Sequence, residues 1–195
     1  VMSEDLRVIK TRSNIRKEFL SLLEQYEFRA ITVSMIIERC QINRSTFYRN
    51  YEDKYALADA IVQDLLEEFS RNMETAFIRE SKPKAGAFNF MLEYFSQHQK
   101  ELTLLYQRVL PVNLFDQMLT CYSEALLKEI TQIFPNAVRQ QKLSRYFSRI
   151  IASNILTSIR WWHLESPETS RQEMEEIIRL TAEEGILPSL RNRFK

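Results

Sequence analysis

The chain has 195 residues, 27 Lys and Arg against 26 Asp and Glu, and a formal net charge of +1, so any basic site must be local rather than a global field. Its two glycines and five prolines are too few for the turns of sandwiches, barrels or doubly wound sheets, which leaves an all-α chain of one or two domains. Cys40 and Cys121 sit in apolar periodic segments, as free thiols of a reducing compartment do, and no apolar run of about 18 residues or basic-then-apolar start marks a membrane span or signal peptide. A soluble, cytoplasmic protein is expected.

Residues Val1 to Asp5 lack helical patterning. Ile15, Phe19, Leu22, Leu23 and Tyr26 then recur at helical spacing, which predicts an amphipathic helix from about Ile9 to Tyr26. Thr32 is a candidate N-cap for a short second helix burying Val33, Ile36, Ile37 and Cys40. Asn43 is another, opening a third helix from Arg44 to Asn50 with Phe47 and Tyr51 inward. From Asp53 a stripe of Leu57, Ala58, Ile61, Leu65, Phe69, Met73 and Phe77 predicts a long helix to about Arg79, broken by Ser81 to Gly86.

Beyond the break, helices are expected at Ala87 to Gln97, Lys100 to Val109 and Val112 to Phe134, with Pro111 and Pro135 as punctuation. Val138 to Leu164 reads as one long helix, apolar on more than one side. Met174, Ile177, Ile178 and Ala182 mark a last helix ending at Gly185. About nine helices result, in a domain of residues 1–54 and a larger helical domain of residues 55–195.

The most specific segment runs from Ile31 to Lys54, ITVSMIIERCQINRSTFYRNYEDK. It resembles the DNA-binding stretch of the TetR/AcrR family, and Thr32, Arg44, Ser45, Thr46, Phe47, Tyr48, Tyr51 and Lys54 carry the resemblance. The resemblance implies a three-helix DNA-binding domain with a helix-turn-helix, whose recognition helix brings Arg44, Ser45 and Thr46 to base edges in the major groove. Tyr48, one position beyond inward-facing Phe47, points outward to phosphate, and Thr32 with the amides opening helix 2 offers a second phosphate seat.

Arg49, Asn50 and Lys54 are further DNA-contacting candidates. So are Lys10 and Arg12, in a basic stretch that continues through Arg16 and Lys17. Alone, that stretch reads as a solvated helix face; it gains a phosphate role from its neighbour. Two positions depart from the family pattern: Gln41 stands where the turn has Gly, and Asn50 where His often touches phosphate. A left-handed Gln41 costs on the order of 1 kcal/mol relative to Gly.

In the C-terminal part, Phe88, Phe90, Tyr94, Phe95, Tyr106, Phe115 and Tyr122 either pack as core or line the ligand cavity the family resemblance implies. Arg108, Asn154 and His98 are the polar candidates for orienting a ligand, or satisfied structural groups. Residues Ser153 to Leu187 resemble a TetR subgroup that includes activators of dihydroxyacetone kinase operons, which implies a four-helix dimer interface from the last two helices. Ile151, Ile155, Ile159, Trp162, Met174 and Ile178 are its candidates; Trp162 and Trp161 serve equally well as helix-end packing inside one protomer.

Catalysis is not expected, because there is no phosphate-cradling loop, no HExxH or Cys/His zinc set and no GxSxG elbow. No cofactor, metal or membrane partner is implied. The expected activity is that of a homodimeric transcriptional regulator, a repressor, that binds double-stranded operator DNA and is released by a small effector. An activator controlled by a partner protein is the alternative, and a helical scaffold without DNA function the third reading.

Overall fold

The computed structural model describes residues 6–79, 91–108, 110–134, 137–183 and 185. The expected breaks at Ser81 to Gly86 and Pro135, and the aromatics Phe88 and Phe90, lie outside the described residues, as do the side chains of Phe77 and Ala182. Among the described residues there are nine helices and no strand: α1 (Leu6–Gln25), α2 (Val33–Cys40), α3 (Arg44–Asn50), α4 (Lys54–Arg79), α5 (described over 91–97), α6 (Gln99–Gln107), α7 (Leu114–Ile133), α8 (Gln141–Glu165) and α9 (Arg171–Glu183). None of them is long and apolar enough to cross a membrane.

The chain divides into two compact units. The first joins Val1–Glu67 with Lys100–Leu114 and the second joins Glu68–Gln99 with Phe115–Lys195, so the division falls inside α4, and α6 packs with the N-terminal helices.

The apolar stripe of α1 contributes to the core of the first unit: Ile15, Phe19, Leu22 and Leu23 are buried, as are Phe28, Ile31, Ile36, Phe47, Leu57, Ile61, Leu102 and Leu105. Each such side chain contributes about 1.5–3 kcal/mol by leaving water. Tyr26 departs from its expected place on this stripe, because α1 ends at Gln25 and the ring is 43% exposed.

Ionic clamps fix α6 to α1. Arg16 reaches Glu101 at 2.6 Å and Asp64 at 3.1 Å. Arg108 donates to Leu23 O at 2.8 Å, to Glu24 O at 3.1 Å and to the Glu27 carboxylate. These carbonyls lie in the last turn of α1, where no helical N–H remains for them, and a cation there also answers the helix dipole.

The second unit has its core in Phe69, Met91, Leu92, Tyr94, Phe95, Met118, Tyr122, Ile155, Leu156, Ile159, Trp162, Met174 and Ile178. Trp162 Nε1 donates to Thr169 O at 2.8 Å and ties the α8–α9 hairpin at its turn. The single helix expected from Val138 begins instead at Gln141, with Val138 outside it and 64% exposed.

Candidate nucleic-acid interface

The helix-turn-helix is built from local capping. Thr32 is extended (φ −112°, ψ 156°) and its hydroxyl accepts the Met35 N–H, freeing α2 to start at Val33. At the other end Gln41 adopts the left-handed conformation (φ 53°, ψ 42°), and its N–H and that of Ile42 close on Glu38 O and Ile37 O, both at 3.2 Å. The departure from glycine is therefore accommodated by the same turn, at a strain of about 1 kcal/mol. Asn14 Nδ2 donates to Cys40 O at 3.1 Å and holds this turn against α1. Cys40 is a core group: burial first, and Glu18 second, push its thiol up to about 11.

Asn43 opens α3. Its Oδ1 accepts the Thr46 N–H at 2.8 Å, the Ser45 hydroxyl at 2.8 Å and the Thr46 hydroxyl at 2.7 Å. Because the amide N–H can only donate, the atom it meets must be the oxygen, so both hydroxyls are donors to it. Phe47 is fully buried and pins the helix, which leaves Arg44, Ser45, Tyr48 and Arg49 exposed and Thr46 half-buried. A scaffold without DNA function calls for a buried Arg44 to Tyr48 face, whereas Arg44, Ser45 and Tyr48 are exposed. Arg44 lies over the Tyr48 ring, its Cζ 5.7 Å from the ring centroid.

Asn50 is braced on two sides, donating to Thr46 O at 2.8 Å and accepting from Arg12 Nε at 3.4 Å. Arg12 of α1 thus stands beside the end of α3, with exposed Lys10 on the same helix. Arg16, expected to share in this basic patch, is spent on Glu101 and Asp64.

Lys54 departs most from expectation. Instead of projecting its charge outward, it turns Nζ onto Phe28 O, Arg29 O and Ile31 O at 2.9, 3.2 and 2.7 Å.

The ligand candidates are divided between the two units. Tyr106 is half-buried and Arg108 is bound to the end of α1, both in the first unit, whereas Tyr94, Phe95, Phe115, Tyr122 and Asn154 belong to the second. Tyr94 and Phe95 are buried in edge-to-face contact with one another, and Tyr94 with Phe69. Burial pushes the Tyr122 hydroxyl well above its ordinary range. Phe115 is half-buried beneath Arg160, and Asn154 accepts the Thr181 hydroxyl of α9 at 3.4 Å. His98 pairs with Glu68 at 3.0 Å, while His163 stacks with Phe95 and with Trp162 and has a buried Nε2 with no hydrogen-bond partner among the described residues.

An open groove of about 330 Å³ lies elsewhere in this unit, between the end of α7 and the start of α8, lined by Ile130, Phe134, Ala137, Gln140, Leu143, Ser144, Phe147 and Ile151.

The dimer candidates split by face. Ile155, Ile159, Trp162, Met174 and Ile178 are buried within the protomer, so their apolar surface is already covered by the chain itself; Ile151 remains 37% exposed. The outward face of α8 carries Leu143, Tyr146, Phe147 and Ile150 with Ile151, and only Ile151 of these is among the interface candidates the sequence singles out. A signal for them exists: Ser144, Ser148 and Ala152 form a small-residue stripe that packs inward, which turns the large residues beside it to solvent.

Residues 19–61 match the model of the bacterial regulatory proteins of the tetR family. YxbF, an uncharacterised HTH-type transcriptional regulator of Bacillus subtilis (strain 168), is 38% identical over 60 residues, which are 30% of this chain and 16% of that protein. The match therefore spans only a small part of that relative's length. A TetR-family transcriptional regulator from Syntrophomonas wolfei superposes over 91% of this chain and 97% of its own, with a TM-score of 0.70 and 19% identity.

The dihydroxyacetone kinase operon activator DhaS covers 89% of this chain and 93% of its own at a TM-score of 0.55 and 19% identity. Thermus thermophilus FadR, a repressor solved with lauroyl-CoA, covers 90% of this chain and 95% of its own at 0.55 and 18%. Sequence match at the helix-turn-helix and likeness of fold along the chain converge: residues 19–61 are similar to the regulatory proteins of the tetR family, and the chain shares its fold with TetR-family regulators.

Proposed function

We propose that the chain binds a pseudo-palindromic operator as a homodimer, with the two α3 helices in successive major grooves and Arg44, Ser45 and Thr46 at the base edges. The observation that carries this reading is the exposed first turn of α3 standing over a fully buried Phe47. Tyr48, Arg49, Asn50, Lys10 and Arg12 surround that turn as phosphate contacts, and the amides following Thr32 supply an uncharged seat. Footprinting on the DNA flanking its own gene tests the reading. Two protected half-sites, lost in Arg44→Ala, are expected; uniform coverage without half-sites contradicts it.

The second copy joins through the outward face of α8, where Leu143, Phe147, Ile150 and Ile151 form an apolar stripe. A small apolar effector that prefers mis-spaced recognition helices releases the operator, and the regulator acts as a repressor. The second reading, an activator governed by a partner protein, seats that partner instead of the second copy in the open groove at Phe134, Leu143 and Phe147. The likeness of fold to DhaS supports the same alternative. Purifying the regulator from its host separates the two, because a repressor releases the operator with small-molecule extract alone.

A further inference from the structure

Three carbonyls of the turn between α1 and α2 converge on one cation. Nζ of Lys54, the first residue of α4, donates to Phe28 O at 2.9 Å, Arg29 O at 3.2 Å and Ile31 O at 2.7 Å. An ammonium has three N–H donors, so this one has none left for a phosphate. Its surroundings suit a cation that stays: Nζ stands 4.7 Å from the Phe28 ring centroid and 5.5 Å from that of Tyr55. Those rings meet edge to face at 5.2 Å, and Phe28 is buried against Phe19. Burial pushes the ammonium below its ordinary range. Asp53 fixes the start of α4, accepting the Tyr55 and Ala56 N–H groups at 2.8 Å each.

We propose that Lys54 serves DNA binding as a positioning residue and not as a phosphate contact: its ammonium holds the 28–31 turn to the start of α4 and so aims the N-terminal end of α2. The turn leads directly into Thr32, the N-cap of α2, and is otherwise closed by Ala30 N to Glu27 O at 2.9 Å and Ile31 N to Phe28 O at 3.3 Å. Without the cation, three carbonyl oxygens face one another across the space it filled, and the turn opens. α2 then shifts and carries α3 with it, because the Gln41 turn joins the two closely. Arginine does not substitute. Its planar fork cannot converge on three carbonyls gathered about a point, whereas a phosphate contact accepts either cation.

The inference rests on the DNA-binding assignment, and the test keeps the two apart. Full-length wild type, Lys54→Met and Lys54→Arg are titrated onto a mixed-sequence DNA duplex over a range of NaCl, with amide hydrogen exchange followed at Thr32 to Ile36. Both variants are expected to lose about tenfold in affinity at fixed salt, as the loss of charge-assisted hydrogen bonds does, and to exchange faster at Thr32 to Ile36. The slope of log affinity against log salt stays at the wild-type value in Lys54→Met. Lys54→Arg binding like wild type, or a slope reduced by about 0.9 in Lys54→Met, overturns the proposal.

A wild type that fails to bind the duplex strikes the DNA-binding assignment instead, and the exchange at Thr32 to Ile36 still decides what the ammonium does. If a variant fails to fold, the ammonium resonance of ¹⁵N-labelled wild type decides: protected and unmoved by DNA it supports the role, shifted by DNA it refutes it.

Discussion

Arg16 Nη2 on α1 stands 2.6 Å from Glu101 Oε1 on α6, and its Nη1 3.1 Å from Asp64 on α4. The Arg16 and Glu101 side chains are only 27% and 18% exposed, so solvent screens the pair incompletely. Arg16→Ala, which removes the pairs to Glu101 and Asp64 together, is expected to cost about 1–3 kcal/mol in chemical denaturation. Glu101→Ala costs less, since Arg16 keeps Asp64. Equal losses would show that the pairing geometry is unimportant.

The same contact separates Arg16 from its basic neighbours in DNA binding. Lys10→Ala is expected to weaken binding on every sequence and to lower the salt slope by about 0.9, while Arg16→Ala leaves the slope unchanged because its charge is already engaged. Arg44→Ala behaves differently again, costing about 1–3 kcal/mol on the operator and little on unrelated DNA. Anisotropy titrations on the two duplexes give all three values.

Gln41→Gly relieves a left-handed residue that makes only backbone closing contacts. A gain of about 0.5–1 kcal/mol in stability is expected, with operator affinity unchanged, because the turn geometry is already that of glycine. A destabilised variant would place the strain elsewhere.

Charging the two faces of α8 should have unlike results. Leu143→Glu or Phe147→Glu is expected to yield folded monomers by sedimentation, since both side chains lie on the outer face. Ile155→Glu or Ile178→Glu should unfold the second unit instead, because burying an unpaired carboxylate there costs several kcal/mol. Folded monomers from the second pair would return the interface to the inner stripe.

His163 gives the pH dependence a sign. Desolvation lowers its folded-state pKa below the ordinary 6.5, so the unfolded chain binds the proton more readily. Stability from this group is full above about pH 6.5 and declines as pH falls below it, towards the folded-state pKa. Melting curves of wild type should therefore fall more steeply from pH 7 to pH 5.5 than those of His163→Phe. Parallel curves would mean that the ring titrates as freely folded as unfolded.

What the sequence discloses follows the range of the interactions. Thr32, Asn43 and Asp53 are legible as caps because a cap acts over three residues, and Phe47 is legible as an anchor because helical period fixes its face. The helix bounds fall close to expectation for the same reason. Lys54 is not legible: its acceptors lie more than twenty residues away, and nothing local distinguishes an ammonium turned inward from one turned out. Arg108 is hidden similarly, 85 residues from Leu23. The two apolar stripes of α8 are visible together, but periodicity cannot say which of them the protomer covers.

Asn43 has a consequence for what α3 can read. With both hydroxyl protons drawn back to its side-chain oxygen, Ser45 and Thr46 turn only lone pairs towards a groove, while Arg44 has only protons to offer. The first turn of the helix is thus polarised before it meets DNA. Arg44 matches the O6 and N7 of a guanine, and its two neighbours match an exocyclic amino group, N4 of cytosine or N6 of adenine, rather than a thymine O4. Asn43→Asp keeps that polarity, and Asn43→Gly frees the hydroxyls to donate, so the glycine variant should tolerate substitutions at the amino-bearing base that the asparagine protein rejects.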